Sequence, residues 1–323
     1  MAQPEMRSPC PSCDASNIVK YGKSRNGVQI YLCKSCGKRF TASGAMPGRR
    51  VPPEQVGTAV SMFYDGLSLE AIRRTFGHTF DFQPSTGSIY EWIVDYTHLA
   101  KAETGKLKPN TGDTWVADEI VINVAGKKYW NWNVMDARTR FLLAARFSPN
   151  RGTKDAEMVM RQALERAGKP PGFIVTDRLA SYVDGIERVF GADSKHVQSG
   201  GIKATINNNL SERLQGTIRQ REKVMRGLKS PQSAQLVMDG WAIHYNFFRP
   251  HEGLDDKTPA SAAGLETPLT NWEEVAKLDV RPFSHRRVAL ERERLQAGLV
   301  KHRRPRELRD RRLRPRMGSG RPF

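Results

Sequence analysis

The spacing of apolar residues changes along the chain, and each change marks a different kind of predicted structure. Apolar positions alternate briefly over residues 28–32. Between residues 52 and 96 they recur every three or four positions, which predicts short amphipathic helices. From residue 114 onward they alternate or form short runs, which predicts strands with helices between them. In a chain of 323 residues this succession favours two or three modules over a single domain.

Three short helices are predicted between residues 52 and 96. The first ends at Asp65-Gly66, the second begins after Ser68 as its N-cap, and the third follows Pro84-Ser85. Three short helices with tight turns are compatible with a helix-turn-helix module over residues 50–100. Any small helical subdomain would give the same pattern. The apolar residues that share one face in each helix are Val56, Val60 and Phe63; Leu69, Ile72 and Phe76; and Ile89, Trp92, Ile93 and Tyr96.

The rest of the pattern predicts alternating strands and helices. The first three strands form an antiparallel meander, and the later strands extend it in parallel, so the predicted fold class is α/β with helices on the faces of the sheet. The expected elements are strands over 114–124, 129–135 and 141–147, a helix over 153–167, a buried strand over 173–176, another helix, a strand near 196–197, and a long helix from about residue 209.

All four cysteines fall into two CxxC pairs, Cys10 with Cys13 and Cys33 with Cys36. Nineteen residues separate the pairs, close to the spacing of four-thiolate zinc sites. Four thiolates close a tetrahedral zinc ion and leave no open position for chemistry, so such a site is structural. Two disulfides or four unligated core cysteines are the alternatives. The spacing favours a zinc ribbon over residues 1–45.

Positive charge is concentrated at both ends of the chain. Of the net formal charge of +18, residues 1–52 supply nine Lys/Arg against two acidic residues, and residues 281–323 supply fifteen against four. The 228 residues between them are neutral overall. Basic ends of this kind are typical of proteins that bind a polyanion. The sequence contains no apolar run long enough to span a membrane and no recognisable secretory signal, so we expect a nucleic-acid partner in a reducing cytoplasm.

Three carboxylates stand where structure alone does not require them. Asp118 interrupts an apolar strand face, where a carboxylate is costly unless it is paired or binds a metal. Asp177 follows the buried strand 173–176, at the edge where α/β sheets place their sites. Glu212 lies on the long helix. Each has a structural alternative, which is an ion pair with a lysine for the first, an N-cap for the second and a capping box for the third.

Other acidic residues of this region are weaker candidates. Asp136 lies in a predicted hairpin turn and Asp184 in a predicted helix. Glu119 is expected to point away from Asp118, because successive residues of a strand face opposite sides.

Glu212 shares its predicted helix face with basic residues. An apolar stripe runs along the other side of the same helix, at Leu210, Leu214, Ile218 and Met225. At 100° per residue Glu212 faces away from that stripe. One carboxylate among cations suits a metal site beside a phosphate backbone. The candidate DNA contacts are therefore the basic residues of this face, Arg219, Lys223 and Arg226.

Several segments resemble the DDE transposases of prokaryotic insertion sequences. The three that carry the carboxylates are Trp115-Val-Ala-Asp118-Glu119, Val175-Thr-Asp177 and Asn208-Asn-Leu-Ser-Glu212, with 34 residues between the last two carboxylates. Residues 245–254 and Thr258-Pro-Ala260 are similar to the end of the integrase-type core of that family. The resemblance covers about residues 115–262.

The resemblance implies a ribonuclease H-like catalytic domain over residues 112–262, with Asp118, Asp177 and Glu212 as its catalytic carboxylates. The zinc ribbon and the helical module also suit the family. The basic tail, residues 281–323, matches nothing that we can place.

The same resemblance implies DNA cleavage followed by joining. Three carboxylates would hold two Mg²⁺ or Mn²⁺ ions about 3.5–4 Å apart, which clamp the attacking and leaving oxygens of a phosphoryl displacement. Water would first free a 3′-OH at the end of the element, and that hydroxyl would then attack target DNA. The implied partners are DNA and further copies of the chain on the DNA, with the protein in the cytoplasm at the nucleoid.

Two other functions fit the same sequence. A DNA-binding protein descended from a transposase, acting as a repressor or architectural factor, would have the same modules without catalysis. A structure-selective nuclease would use the same core. Intact Asp118, Asp177 and Glu212 favour the enzyme.

Overall fold

The computed structural model describes residues 9–23, 29–41, 50–80, 82–199, 209–225, 228 and 230–278. Two of the sequence predictions, the DNA contact of Arg226 and the basic tail 281–323, lie outside these residues, as does Asn208 of the third motif. The described residues all belong to one compact unit.

The N-terminal part folds as a small antiparallel sheet fastened by two tight turns. Cys10, Ile18, Cys33 and Phe40 are buried together and form its core. The residue directly after each CxxC segment has a positive φ, Asp14 at 53° and Gly37 at 71°, which lets the chain reverse within a few residues. The sheet has three strands in sequence order, β1 (Ile18–Lys23), β2 (Gln29–Cys33) and β3 (Arg39–Thr41).

Three helices follow at the predicted places, α1 (Pro53–Tyr64), α2 (Leu69–Thr79) and α3 (Thr86–Thr104). The Ser68 side chain accepts a hydrogen bond from the backbone N–H of Ala71 at 3.1 Å, so the predicted N-cap is confirmed. Ser85 caps α3 in the same way through the N–H of Ser88 at 3.0 Å. The caps fix where α2 and α3 begin, and α3, with 19 residues, is longer than the short helix that the sequence predicted.

The larger sheet has five strands in the order β6-β5-β4-β7-β8. β4, β5 and β6 form an antiparallel meander, and β7 and β8 extend it in parallel from β4. This arrangement confirms the predicted α/β class, in which a three-stranded antiparallel meander is extended by parallel strands. The strands are β4 (Thr114–Val124), β5 (Lys127–Asp136), β6 (Leu142–Ser148), β7 (Phe173–Thr176) and β8 (Lys195–Gln198).

Helical elements pack on both faces of this sheet. Trp132 of β5 meets the ring of Tyr182 edge-on at 5.4 Å on one face. On the other face Met135 Sδ accepts a hydrogen bond from Tyr245 Oη at 3.7 Å. The helices are α4 (Thr153–Ala167), α5 (Ala180–Phe190), α6 (Asn209–Met225), α7 (Pro231–Ile243), a π-helical turn (His244–Phe248), α8 (Pro259–Ala262) and α9 (Trp272–Ala276).

One hydrophobic core joins the three N-terminal helices to the sheet. Tyr64 at the end of α1 stacks on Trp272 of α9 at 5.1 Å, and its hydroxyl shares a 2.6 Å hydrogen bond with Thr97 of α3. Burial of large aromatic rings of this kind dominates packing energies. Within the described part of the chain, no helix combines the length and apolar character needed to cross a bilayer.

Candidate active site and metal centres

The candidate active site lies where β4 runs past the end of β7. β7 pairs with β4 only as far as Val116, and among the described residues the next partner on this edge is Leu228, bridged to Val124, so the stretch of β4 between Val116 and Val124 is open. Asp118 and Glu119 are the residues at this open edge, and Asp177 directly follows β7. The strand register therefore places three carboxylates at one point of the sheet.

Asp118 is a buried carboxylate among other negative charges. Its Oδ1 accepts a hydrogen bond from the N–H of Glu119 at 2.9 Å. Across the sheet it lies opposite Asn133 of β5, which is also buried. Burial, and then the charges of Glu119, Asp177 and Glu212, raise the pKa of Asp118 to about 7. The surroundings of Asp118 therefore disfavour its ionised form when no cation is bound.

Glu119 belongs to the site, although alternation along the strand predicted that it would point away. Carboxylate oxygens of Asp118, Glu119 and Asp177 all lie within 4.8 Å of one another. The alternation itself holds, since Glu119 lies opposite Trp132 and Asp118 opposite Asn133. Because the strand edge is open, both carboxylates can reach the same space beside Asp177. The expectation that Glu119 points away from Asp118 is therefore wrong for its carboxylate oxygens.

Two neighbours hold the Glu119 side chain. Arg151 donates two N–H groups to Oε1, with Nε at 2.7 Å, and Tyr182 Oη donates to Oε2 at 3.0 Å. Burial raises the pKa of Glu119, and Arg151 opposes that shift. Burial and then the charge of Glu119 raise the pKa of Tyr182 well above its ordinary value. Neither Arg151 nor Tyr182 was found from the sequence, because nothing in the spacing marks them.

Asp177 is fixed by the strand that precedes it. The Thr176 hydroxyl is buried and hydrogen-bonded both to the Asp177 carbonyl at 2.7 Å and to His196 Nε2 of β8 at 2.8 Å. Asp177 Oδ1 accepts from the N–H of Leu179 at 3.0 Å, so the carboxylate does order the loop before α5. It is not the N-cap residue of that helix, which is Leu179.

Glu212 is carried to the same region by α6. Leu214 and Ile218 are buried against the core, whereas Glu212 is exposed, as the helix periodicity predicted. Gln215, one turn further on, donates a 3.3 Å hydrogen bond to the carbonyl of Glu119. The charge of Glu212 is the last and smallest of the contributions that raise the pKa of Asp118. Glu212 is not part of the 4.8 Å cluster formed among the described residues.

The carboxylate cluster offers donor oxygens of the kind that a hard divalent cation prefers, with the oxygens of Glu119 already hydrogen-bonded to Arg151 and Tyr182. The donors of the cluster are all oxygens, which Mg²⁺ and Mn²⁺ prefer. A cation would also offset the mutual repulsion that raises the pKa of Asp118. The chemistry of the donor set therefore agrees with the divalent-metal use implied for the family.

The four cysteines converge on a second centre. All four Sγ atoms lie within 4.8 Å of one another, with Cys10 and Cys36 at 3.7 Å and Cys13 and Cys33 at 3.6 Å. A disulfide has an S–S distance of about 2.05 Å, so the cysteines are free. Four thiolates at about 2.3 Å from one tetrahedral zinc ion would lie about 3.8 Å apart. The cluster is consistent with the predicted zinc ribbon.

Two of the basic residues predicted to contact DNA lie on the exposed side of α6. Arg219 and Lys223 are exposed, like Glu212. Arg221 is instead buried, with its guanidinium 3.7 Å from the ring centre of Phe63 and Nη1 donating to the carbonyl of Leu67 at 3.1 Å. Helix α6 therefore joins the candidate active site to α1 and to the turn that follows it.

The chain is similar to known transposase and integrase domains. A family model described as a DDE domain matches residues 112–251. The magnesium-bound catalytic core of HTLV-2 integrase, in its trimeric form, is 18% identical at a TM-score of 0.38, and the match covers 49% of this chain and 98% of that one. The catalytic core of BIV integrase is 12% identical at a TM-score of 0.35, with 47% of this chain and 93% of that one covered.

The matched segment contains both Asp118 and Asp177, together with Glu212 of α6. It begins just before β4 and continues beyond α7. Residues 112–251 therefore match the model of a DDE domain family, and this match supports a transposase-type function and an enzyme of the nucleotidyl-transferase type.

Proposed function

We propose that this protein cuts the ends of an insertion sequence and joins the freed 3′-OH to target DNA. The observation that supports this most directly is the meeting of Asp118 and Asp177 at the open edge of β4, inside the matched DDE domain. Glu212 lies on the helix beside them. In-line phosphoryl transfer needs no protein nucleophile, only groups that position the reacting oxygens and offset their charge.

Asp118, Asp177 and Glu212 are the proposed metal ligands and catalytic carboxylates. Bound Mg²⁺ or Mn²⁺ ions would supply charge stabilisation for the attacking and leaving oxygens. Asp118 lies on the strand and Asp177 at the strand end, so the sheet fixes both ligands rigidly. Glu212 is on the surface of α6 and completes the set from the solvent side.

We propose that DNA binds the two basic terminal segments of the chain and the exposed side of α6. Arg219 and Lys223 lie on the exposed side of the helix that carries Glu212, where they could neutralise phosphates beside the cut site. We assign the same role to Arg226. The proposed organisation keeps the ribbon over 1–45, a helix-turn-helix module over 50–100, the catalytic domain over 112–262 and the basic tail over 281–323. Several copies of the chain would act together on the paired ends.

The zinc ribbon is proposed as a structural DNA-binding module. Four thiolates would close one ion and leave no open position, so it would take no part in the chemistry. Hydrogen bonds from backbone N–H groups, that of Cys36 first, lower the pKa of Cys33 to about 6, whereas burial raises the pKa of Cys10 to about 12, so zinc binding would have to displace a proton from Cys10. Elemental analysis of the reduced protein should find about one zinc per chain, and protein without zinc would contradict this assignment.

The catalytic proposal is tested with a labelled DNA end taken from the flanks of the gene. Wild-type protein with Mg²⁺ or Mn²⁺ should release a 3′-OH and join it to a target duplex. D177N keeps the shape of the side chain but removes its charge, so it should lose both reactions and still bind DNA. One site performs both steps, hence both must fail together.

The matched control is D184N. Asp184 is an exposed aspartate of α5, and it follows Tyr182 along the same helix. It should cleave and join like the wild type. Cleavage by D177N would show that the site is wrongly assigned. Wild-type protein that binds the end tightly but neither cuts nor joins it would favour the non-catalytic DNA-binding function instead.

A further inference from the structure

Arg151 lies between two carboxylates of the candidate active site. Its Nε and Nη2 both donate to Glu119 Oε1, and Nη2 is 4.0 Å from Asp177 Oδ2, beyond hydrogen-bond distance. Its backbone carbonyl accepts a hydrogen bond from Ser181 Oγ at 3.1 Å. Both the backbone and the guanidinium of Arg151 are therefore held, and Asp177 is the next anion within reach.

Glu119 and Asp177 differ in how much each needs this guanidinium. The Glu119 side chain is 3% exposed, whereas that of Asp177 is 41% exposed. A buried carboxylate without a cationic partner is costly, while an exposed one is solvated by water. Glu119 also has Tyr182 on its second oxygen, which fixes its orientation for Arg151. The guanidinium therefore stays on Glu119.

We propose that Glu119 is a positioning residue, which holds Arg151 away from Asp177 and so leaves the Asp177 carboxylate available to a divalent cation. This inference rests on the proposed function of Asp177 as a metal ligand. Without the negative charge at position 119, the guanidinium would turn to Asp177, and a cation would have to displace it. The competing explanation is that Glu119 is itself a ligand, since its oxygen lies in the same 4.8 Å cluster.

The two explanations are separated by removing both charges of the pair. The probe is Mn²⁺ titrated into the full-length, zinc-loaded protein without DNA, with binding followed by electron paramagnetic resonance. E119Q should raise the Kd for Mn²⁺ by about 10- to 100-fold, the range typical of residues that orient metal ligands. The double variant E119Q/R151Q should return the Kd close to the wild-type value, because no guanidinium then remains to occupy Asp177.

A double variant that binds as weakly as E119Q would overturn the inference and make Glu119 a ligand. An unchanged Kd in E119Q would overturn it as well. If wild-type protein and D177N bind Mn²⁺ equally, the metal site of the proposed function is wrong, so the two failures are distinct. E119D keeps the charge and should lose less affinity than E119Q, which serves as a second variant if the glutamine disturbs folding.

The matched control is a second arginine–glutamate pair, which lies within α4. Arg161 Nε donates to Glu157 Oε1 at 3.0 Å, Arg188 of α5 also approaches Glu157 at 3.7 Å, and Glu157 is not part of the carboxylate cluster. The cycle of E157Q, R161Q and their double variant should leave the Kd for Mn²⁺ unchanged. A similar change in this control cycle would mean that loss of any surface pair alters metal binding, which would also contradict the specific role of Glu119.

Discussion

Asp118 is placed where a carboxylate destabilises the fold that holds it. It is 9% exposed and close to the charges of Glu119 and Asp177, and its raised pKa of about 7 reflects both causes. An aspartate in the unfolded chain has a pKa of about 3.9. Because the folded-state pKa lies above that value, this group removes stability as the pH rises from about 4 to about 7. A site prepared for a cation has this cost when no cation is bound.

D118N should therefore stabilise the protein in the absence of divalent metal. The amide keeps the acceptor oxygen for the N–H of Glu119 and removes the repelled charge. We expect the Tm at pH 8 to rise by a few degrees, since one kcal/mol corresponds to about 2–4 °C in a domain of this size. The gain should be smaller at pH 5, where the wild-type carboxyl is protonated.

Thermal unfolding with and without Mn²⁺ checks this expectation. The wild-type Tm should rise with Mn²⁺, and that of D118N should not, because its site lacks one ligand. D184N, which changes an exposed aspartate, should behave like the wild type at both pH values. A D118N protein that melts below the wild type at pH 8 would show that the buried charge is already compensated.

At the residue scale the sequence predicted the carboxylates but not their partners. Asp118 stood out because it interrupts an apolar face, and Asp177 because it ends a buried strand. Glu119 was set aside because Cβ directions alternate along a strand, yet its longer side chain and the open edge bring its carboxylate to the cluster. Arg151 comes from a loop 32 residues away along the chain. Contacts of this kind depend on how elements meet, which no local pattern records.

At the scale of elements, α1 and α9 pack so closely that a side chain is excluded between them. A Cβ added at Gly57 of α1 would lie 2.5 Å from the backbone N and Cα of Glu273 in α9. Backbone atoms cannot move aside as a flexible side chain can. Glycine is therefore required here by close approach, although it is an unfavourable residue inside a helix.

G57A should destabilise the protein in spite of the higher helix propensity of alanine. We expect a loss of about 1–3 kcal/mol, the usual cost of overpacking, against a gain of about 1 kcal/mol or less from propensity. Gly216 of α6 is the matched control, because a Cβ there meets no atom within 4 Å. G216A should be neutral or up to about 1 kcal/mol more stable.

Urea unfolding of the two variants beside the wild type gives both values. Equal midpoints for G57A and G216A would mean that α9 moves away from α1 at little cost. A stabilised G57A would contradict the close packing outright.

Regular elements were the most predictable part of this fold. The strand over 114–124, the helix over 153–167 and the strand over 173–176 have the predicted limits, because apolar periodicity, turn residues and glycine ends agree there. The third strand lies one residue later than expected, over Leu142–Ser148. The packing of α9 on α1 joins residues more than 200 positions apart, and nothing in either segment alone indicates it.

At the scale of the molecule, the N-terminal module that carries the four cysteines contacts the end of the described chain. Lys38 Nζ donates to Ser12 Oγ at 2.6 Å within the ribbon and to the carbonyl of Lys277 at 2.9 Å, just after α9. The N-terminal basic segment is thus attached to the same helix that packs on α1. DNA bound at this N-terminal module would therefore be attached to the same compact unit that carries the carboxylates, and not to an independently moving domain.

The basic tail, residues 281–323, carries a net charge of +11 and should supply phosphate contacts without sequence preference. Deleting it should flatten the dependence of log K on log salt, because each neutralised phosphate contributes about −0.9 to that slope. Discrimination between the end of the element and random DNA should change little, since phosphate contacts carry no sequence information. A tail of the same length with every arginine and lysine replaced by glutamine should match the deletion, which separates charge from chain length. Fluorescence anisotropy at several salt concentrations measures the slope, and a deletion with the wild-type slope would mean that the tail does not bind DNA.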